Sequence, residues 1–272
     1  SNTVSNPNAF ATDNVPYTCY ADVTSIVQAN GFGTYTVANM KATLGETSTA
    51  SGASGGWTLV VFFEDPTPSA ANVVRFMTTF DGFKEIQANN TGSIDLPISG
   101  FRTLPAPFPV NVRFGVACLE GDNAFTGDNL VIRDVNGNPQ NLFDSVYPVN
   151  NFFISSISVD VSYYLNRLPA SLNTLGYDSD IFELPNDGKN LIGNSQTSAE
   201  FTLITGGDTF QPFLTTFSIE NIIPKIRNIK EVYNPSDLTT PIYDGTVQLS
   251  EVFVYRLYLK NKGNEDIYGN IV

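Results

Sequence analysis

Val110-Asn111-Val112-Arg113-Phe114-Gly115-Val116-Ala117-Cys118 is the stretch whose reading decides the fold. Val110, Val112, Phe114, Val116 and Cys118 recur at every second position. Side chains two apart share one face of a strand, so this segment has a single core-facing side and belongs in a sheet. Outward from it, further strands are expected at 129–133, 153–164, 198–205 and 213–220 on one side, and at 73–80 and 93–98 on the other. Gly, Asn, Asp and Pro turns separate them. The Pro-rich connection 104–109 cannot donate into a ladder and must run along a sheet edge. This spacing is that of an antiparallel β-sandwich or jelly roll.

Nearer the start, residues 15–21 read as a strand. Asp22 stands in the N-cap position of a short helix over 23–27 that Gly31 closes. Residues 33–44 read as strand, and 45–56 as an exposed Ser/Thr/Gly/Ala loop. Trp57-Thr58-Leu59-Val60-Val61-Phe62-Phe63 is a continuous apolar run of strand length, expected inside the sheet with both faces covered. After Ile223-Pro224 the texture changes. A polar link through Asn234-Pro235-Ser236-Asp237 leads to 251–260, where Phe253, Tyr255, Leu257 and Leu259 alternate with more polar residues. The domain reading is thus a sandwich over 1–230, with 104–110 as the place where it would divide into two sub-domains, and a second unit beginning at 231.

Composition narrows the function classes. Twenty-seven Asp and Glu against 14 Lys and Arg leave a formal charge of −13. That surface repels nucleic-acid phosphates and anionic membrane faces. No apolar run approaches the roughly 20 residues that span a bilayer. Histidine is absent, which removes the commonest general base and transition-metal ligand, and with them every Ser-His or Cys-His arrangement. The chain opens Ser1-Asn2-Thr3 without Met, as expected of a processed export precursor or a segment of something longer.

Several short motifs, in order, carry a resemblance: Tyr17-Thr18-Cys19-Tyr20-Ala21-Asp22-Val23-Thr24, Gly33-Thr34-Tyr35-Thr36-Val37-Ala38, Gly55-Gly56 with the apolar run and Glu64-Asp65-Pro66, Phe80-Asp81-Gly82-Phe83, Glu120-Gly121-Asp122, Thr126-Gly127-Asp128, Leu175-Gly176-Tyr177-Asp178-Ser179-Asp180 and Gly206-Gly207-Asp208-Thr209-Phe210. Together they resemble the amino-terminal β region of giant bacterial surface proteins that carry arrays of Ig-like repeats. The Asn-, Thr- and Phe-rich texture is similar to the gliding-motility and adhesion proteins of the Bacteroidetes. The resemblance implies secretion to the outer cell surface, an adhesive or fibre-forming role without catalysis, and residues 231–272 as the linker and first strands of an Ig-like repeat. Its implied partners are extracellular surfaces or glycans and neighbouring repeats. A carbohydrate-binding module is the alternative, on the analogy of jelly rolls that hold glycans.

Candidate site residues follow. Cys19 and Cys118 are the only cysteines, too few for a thiolate zinc site. Both fall on expected strands of an exported chain, so a Cys19–Cys118 disulfide is expected, although neither position is usually Cys in the family it resembles. Asp122, Asp128, Asp178, Asp180 and Asp208 fall in Gly/Asn-rich segments read as loops. Clustered carboxylates with backbone carbonyls suit calcium, with Asp122 and Asp128 the first candidates and Asp178 and Asp180 the second. Asx-turns are the commoner role for any one of them. Glu64-Asp65 as a carboxylate pair for glycoside chemistry, and Trp57 as a sugar-stacking ring, are weaker readings than a turn and a core residue. Asp144-Ser145-Val146 resembles a short O-glycosylation signature, which makes Ser145 a candidate modification site.

Overall fold

A computed structural model describes residues 2–5, 16–40, 54–64, 74–221, 226–242, 250 and 252–261. The chain forms two units, one from residues 1–65 and 75–220, the other from 66–74 and 221–272. Elements follow in chain order: β1 (Asn2–Ser5), β2 (Tyr17–Tyr20), α1 (Thr24–Asn30), β3 (Arg75–Asp81), β4 (Ile86–Gln87), β5 (Ser93–Ser99), β6 (Val112–Leu119), β7 (Asp128–Arg133), β8 (Pro139–Leu142), β9 (Ile157–Val159), β10 (Ser162–Tyr163), β11 (Tyr177–Glu183), β12 (Ser198–Thr205), β13 (Thr209–Glu220), β14 (Ile226–Asn234), β15 (Asp237–Pro241) and β16 (Val254–Asn261). Among the described residues, no helix is long and apolar enough to cross a membrane.

The first unit is an all-β sandwich. One sheet runs β10-β9-β11-β6-β13-β3, with β4 pairing β13; the other runs β5-β12-β7-β8. Every pairing is antiparallel except β9 with β11. The five alternating residues of the deciding stretch, Val110 to Cys118, are all buried. From the facing sheet Ala199, Phe201 and Leu203 of β12 and Leu130 and Ile132 of β7 complete the core. Phe114 stacks on Phe201 with ring centroids 4.3 Å apart, and Phe201 meets Phe217 edge-on at 6.0 Å. Burying one such phenylalanine contributes about 1.5–3 kcal/mol. Pro212, which has no N–H to offer, sits where the β13 register shifts against β6.

The pairing also places residues 104–110. β3 and β5 precede that connection and pair with β13 and β12 beyond it, so the segment joins strands of one sandwich and does not divide two sub-domains. Near the start of the chain the expected helix forms but is shifted: α1 spans Thr24–Asn30 and its N-cap is Val23, while Asp22, one residue further out, accepts the Thr24 N–H on Oδ1 at 2.9 Å; Gly31 closes the helix at φ 64°, its N–H bonding Val27 O.

Three expectations need correction. Residues 57–63 form no strand and, apart from half-buried Leu59, are exposed, Trp57 at 45% and Phe63 at 73%. The start of the run docks through polar groups instead: Tyr177 OH reaches the Trp57 carbonyl and the Thr58 hydroxyl. A continuous apolar run has no preferred face, so its composition alone did not assign it to a ladder. Residues 33–40 are likewise outside any strand, while 41–44 lie outside the described residues. Within 153–164 only β9 and β10 are strand; Phe152 and Phe153 are core residues on irregular backbone, Phe152 stacked on Tyr147 and Phe153 tilted against Phe210.

The second unit is a three-stranded antiparallel sheet, β15-β14-β16. Asn234-Pro235-Ser236-Asp237, read above as a linker, is the hairpin turn between β14 and β15, with Asn234 opposite Asp237. Lys230 lies over the Tyr255 ring at 4.1 Å, and Arg256 over Tyr233 at 4.7 Å. Tyr255, Leu257 and Leu259 alternate along β16 and are exposed.

Candidate functional site

Strand alternation carries acids into the core of the first unit. In β7, Asp128 continues the inward face of Leu130 and Ile132; in β11, Asp178 and Asp180 continue that of Phe182. These three, expected in loops, are therefore strand residues on core-facing positions. Asp is depleted in strands, which is why a segment such as Tyr177–Glu183 reads as a turn.

The register then brings some of them to one end of the sandwich. Cys118, near the end of β6, stands opposite Asp178, and on the other sheet Asp128 pairs with Thr205. Asp208 follows three residues after Thr205, whose hydroxyl accepts the Asp208 N–H at 2.9 Å. Gly206 N–H bonds the carbonyl of Gly127, just before Asp128.

The segment 151–156 threads between these acids. Phe153 N–H donates to Asp128 Oδ2 at 2.6 Å, and Ser156 N–H to Asp178 Oδ1 at 3.0 Å. Thr209 N–H donates to Asp208 Oδ1 at 2.7 Å. Gly121 closes the far side, because a Cβ there would stand 2.0 Å from Asp178 Oδ2 and 2.8 Å from Phe153 Cβ. Only glycine leaves room for that carboxylate.

Electrostatics follow from the burial. Desolvation pushes the Asp128 carboxyl up to about 6 against its three backbone hydrogen bonds. The Asp178 carboxyl is pushed well above the usual range by burial, then by the charge of Asp128, with the Ser156 N–H opposing. Asp208 rises to about 6 through desolvation and then the charges of Asp128, Asp122 and Glu120. The Cys118 thiol, buried between them, is pushed well up by desolvation and by Asp178, Asp128 and Asp208; it donates to the Leu119 carbonyl. It is a protonated core thiol and not a nucleophile.

The structure regroups the other sequence-predicted residues. Asp180 faces a different neighbourhood, where Ser158 Oγ donates to it and burial raises its carboxyl to about 7, with Asp144 and Asp160 adding. Asp122 is half-buried in the loop between β6 and β7. No disulfide joins Cys19 and Cys118: Cys19 is exposed on β2, and Cys118 lies in the core. Ser145 is exposed and its hydroxyl donates to Val161 O at 2.9 Å, while Asp144 Oδ1 accepts from Val146 and Tyr147 N–H in an Asx-turn. Asp65, the second member of the Glu64-Asp65 pair, lies outside the described residues.

Among the described residues, no three Asp, Glu, Cys or His side chains form a ready-made metal-binding group. Sequence reasoning named the acids of this end but paired them by sequence neighbourhood. It missed Asn151, a buried amide lying across the 120–127 loop, whose only signal was its place before the Phe152-Phe153 pair. No family model, curated protein or solved structure matches this chain.

Proposed function

We propose that this chain is a non-catalytic structural and adhesive module of a large secreted bacterial cell-surface filament or adhesin. The observation that supports the reading best is modularity. An all-β sandwich and a separate small antiparallel sheet share one chain, the second drawn mainly from the residues after 220, an arrangement that suits a surface protein built from serial β units. The exposed alternating face of β16, Tyr255, Leu257 and Leu259, agrees with a sheet awaiting the next strands of an Ig-like repeat. Its strong negative charge keeps such a surface soluble and poor at binding polyanions.

The test is surface labelling of intact producing cells with an antibody to the sandwich, paired with adhesion of beads coated with the protein. Labelling without permeabilisation, together with bead retention on cells or matrix, is the expected result. Labelling that needs permeabilised cells overturns the reading.

One observation favours carbohydrate binding as a second reading. Trp57, Tyr163 and Tyr164 present aromatic surface to solvent, and such rings stack on sugar faces. A glycan panel separates the two readings: retention of one glycan class, lost in Trp57→Ala or Tyr163→Ala, favours the module as a lectin.

A further inference from the structure

Four buried oxygens in the acid-lined end of the first unit have no hydrogen-bond partner: Asp128 Oδ1, Asp178 Oδ2, Asp208 Oδ2 and Asn151 Oδ1. Asp128 and Asp178 are 0% and 1% exposed, Asn151 and Asp208 7% and 8%. Buried polar atoms in native proteins nearly always find a partner, and exceptions mark a missing water or ion or a functional strain. All four of these atoms are acceptors.

Asn151 is the independent witness. Its amide nitrogen donates to the Asn123 carbonyl at 3.2 Å, in the loop that leads from Gly121 to Asp128. Turning the amide over would set its oxygen against that carbonyl, so this bond fixes the oxygen as the buried, unpartnered end. One water brings two protons to four acceptors and no charge to offset theirs.

We propose that this end of the sandwich binds one calcium ion through the carboxylates of Asp128, Asp178 and Asp208 and the amide oxygen of Asn151. The backbone donors of Phe153, Ser156 and Thr209 each hold one oxygen of a carboxylate and leave its other oxygen for the ion. Among the described residues no three acids are yet gathered as a metal group, so the ion draws the free oxygens together by small shifts that keep these backbone bonds, and backbone carbonyls or waters complete six to eight ligands. The donor set is all oxygen and irregular, which suits calcium over the octahedral demands of magnesium. The only nearby sulfur is the protonated Cys118 thiol, and the absence of histidine removes the imidazole that zinc and copper favour. Asp180 also has one buried oxygen without a partner, the other accepting from Ser158, but its charged neighbours are Asp144 and Asp160 and not Asp128 or Asp208, so it is outside the set.

The experiment is thermal unfolding and calorimetric titration of the full chain after chelation. Calcium should bind at one site per chain and raise Tm by about 5–10 °C at free calcium near 100 times Kd, with magnesium far less effective. Asn151→Ala should weaken calcium binding at least about tenfold, and Asp128→Asn with Asp178→Asn should abolish it. Asp180→Asn should bind as the parent does. An equal Tm in chelator and in calcium, with no heat of binding, overturns the proposal. So does calcium binding that survives unchanged in both Asn151→Ala and Asp178→Asn. Should the double variant fail to fold, the parent's stoichiometry and the Asn151→Ala affinity still decide the matter.

Discussion

Asn186 is buried and uses all of its hydrogen-bonding capacity: Nδ2 donates to the carbonyls of Val110 and Ile192, and Oδ1 accepts from the N–H groups of Leu191 and Ile192. It ties the start of the deciding stretch to the loop before β12. Asn186→Ala removes four bonds and strands buried backbone groups, so the sandwich should lose at least about 2 kcal/mol, read as a lowered denaturant midpoint at unchanged slope. A loss under about 0.5 kcal/mol would mean that water replaces the amide. Phe201 makes the complementary case, since it is fully buried between Phe114 and Phe217. Phe201→Ala should cost about 3–5 kcal/mol in chemical denaturation, whereas Phe201→Leu should cost much less. The two residues differed in legibility. Phe201 lies on an alternating strand and declares its face, but Asn186 stands in Pro185-Asn186-Asp187-Gly188, which reads as any solvent turn. Nothing local reveals that its amide points inward.

Strands were legible where apolar residues alternate and hidden where an inward position is polar. β12 matches its expected bounds of 198–205 because Ala199, Phe201 and Leu203 mark one face. β11 was missed because two of its inward positions are Asp178 and Asp180, of which Asp178 contributes to the acid-lined end. The run over 57–63 erred in the opposite direction, being apolar enough for a core strand and yet outside both sheets. Acid residue types could therefore be named from sequence, while their convergence depended on the register of four strands. Turn chemistry was readable as composition and became specific only with pairing. In the β14–β15 hairpin the Asp237 carboxylate accepts the Thr239 hydroxyl and backbone N–H. These bonds, the hydroxyl first, lower its carboxyl to about 2. A depressed value means that the turn is favoured above the unfolded carboxyl range, near about 3.9, and loses that support as pH falls toward 2. A carbon-detected NMR titration should place the Asp237 midpoint near 2, and Thr239→Val should move it upward. A midpoint of about 3.9 in the parent would show that the turn bonds are not held in solution.

The whole chain behaves as two units, and the place to cut between them follows from hydrogen bonding. β14 begins at Ile226, so a boundary at residue 231 would sever a strand that pairs along its length with β16. Glu220, by contrast, belongs to the sandwich. Its side chain accepts from Asn111 Nδ2 at 3.0 Å and pairs with Arg75 at 3.4 Å, and its N–H bonds the Asn111 carbonyl. The first unit has its own continuous core, from Ile86 and Ile98 through Phe114 and Phe201 to Ile219, and a unit with a complete core is able to fold alone. A chain ending after Asn221 should therefore unfold in one cooperative transition, with a Tm within a few degrees of the sandwich transition in the full chain. A second cut after Lys230 should leave the orphaned half of β14 as an unpaired strand with open backbone edges and promote aggregation. Calorimetry and size-exclusion chromatography of the two truncations distinguish the outcomes. If the chain cut after Asn221 is unfolded or loses its cooperative transition, the sandwich depends on the strands beyond it. Tandem modularity, on which the proposed surface role leans, would then fail with it.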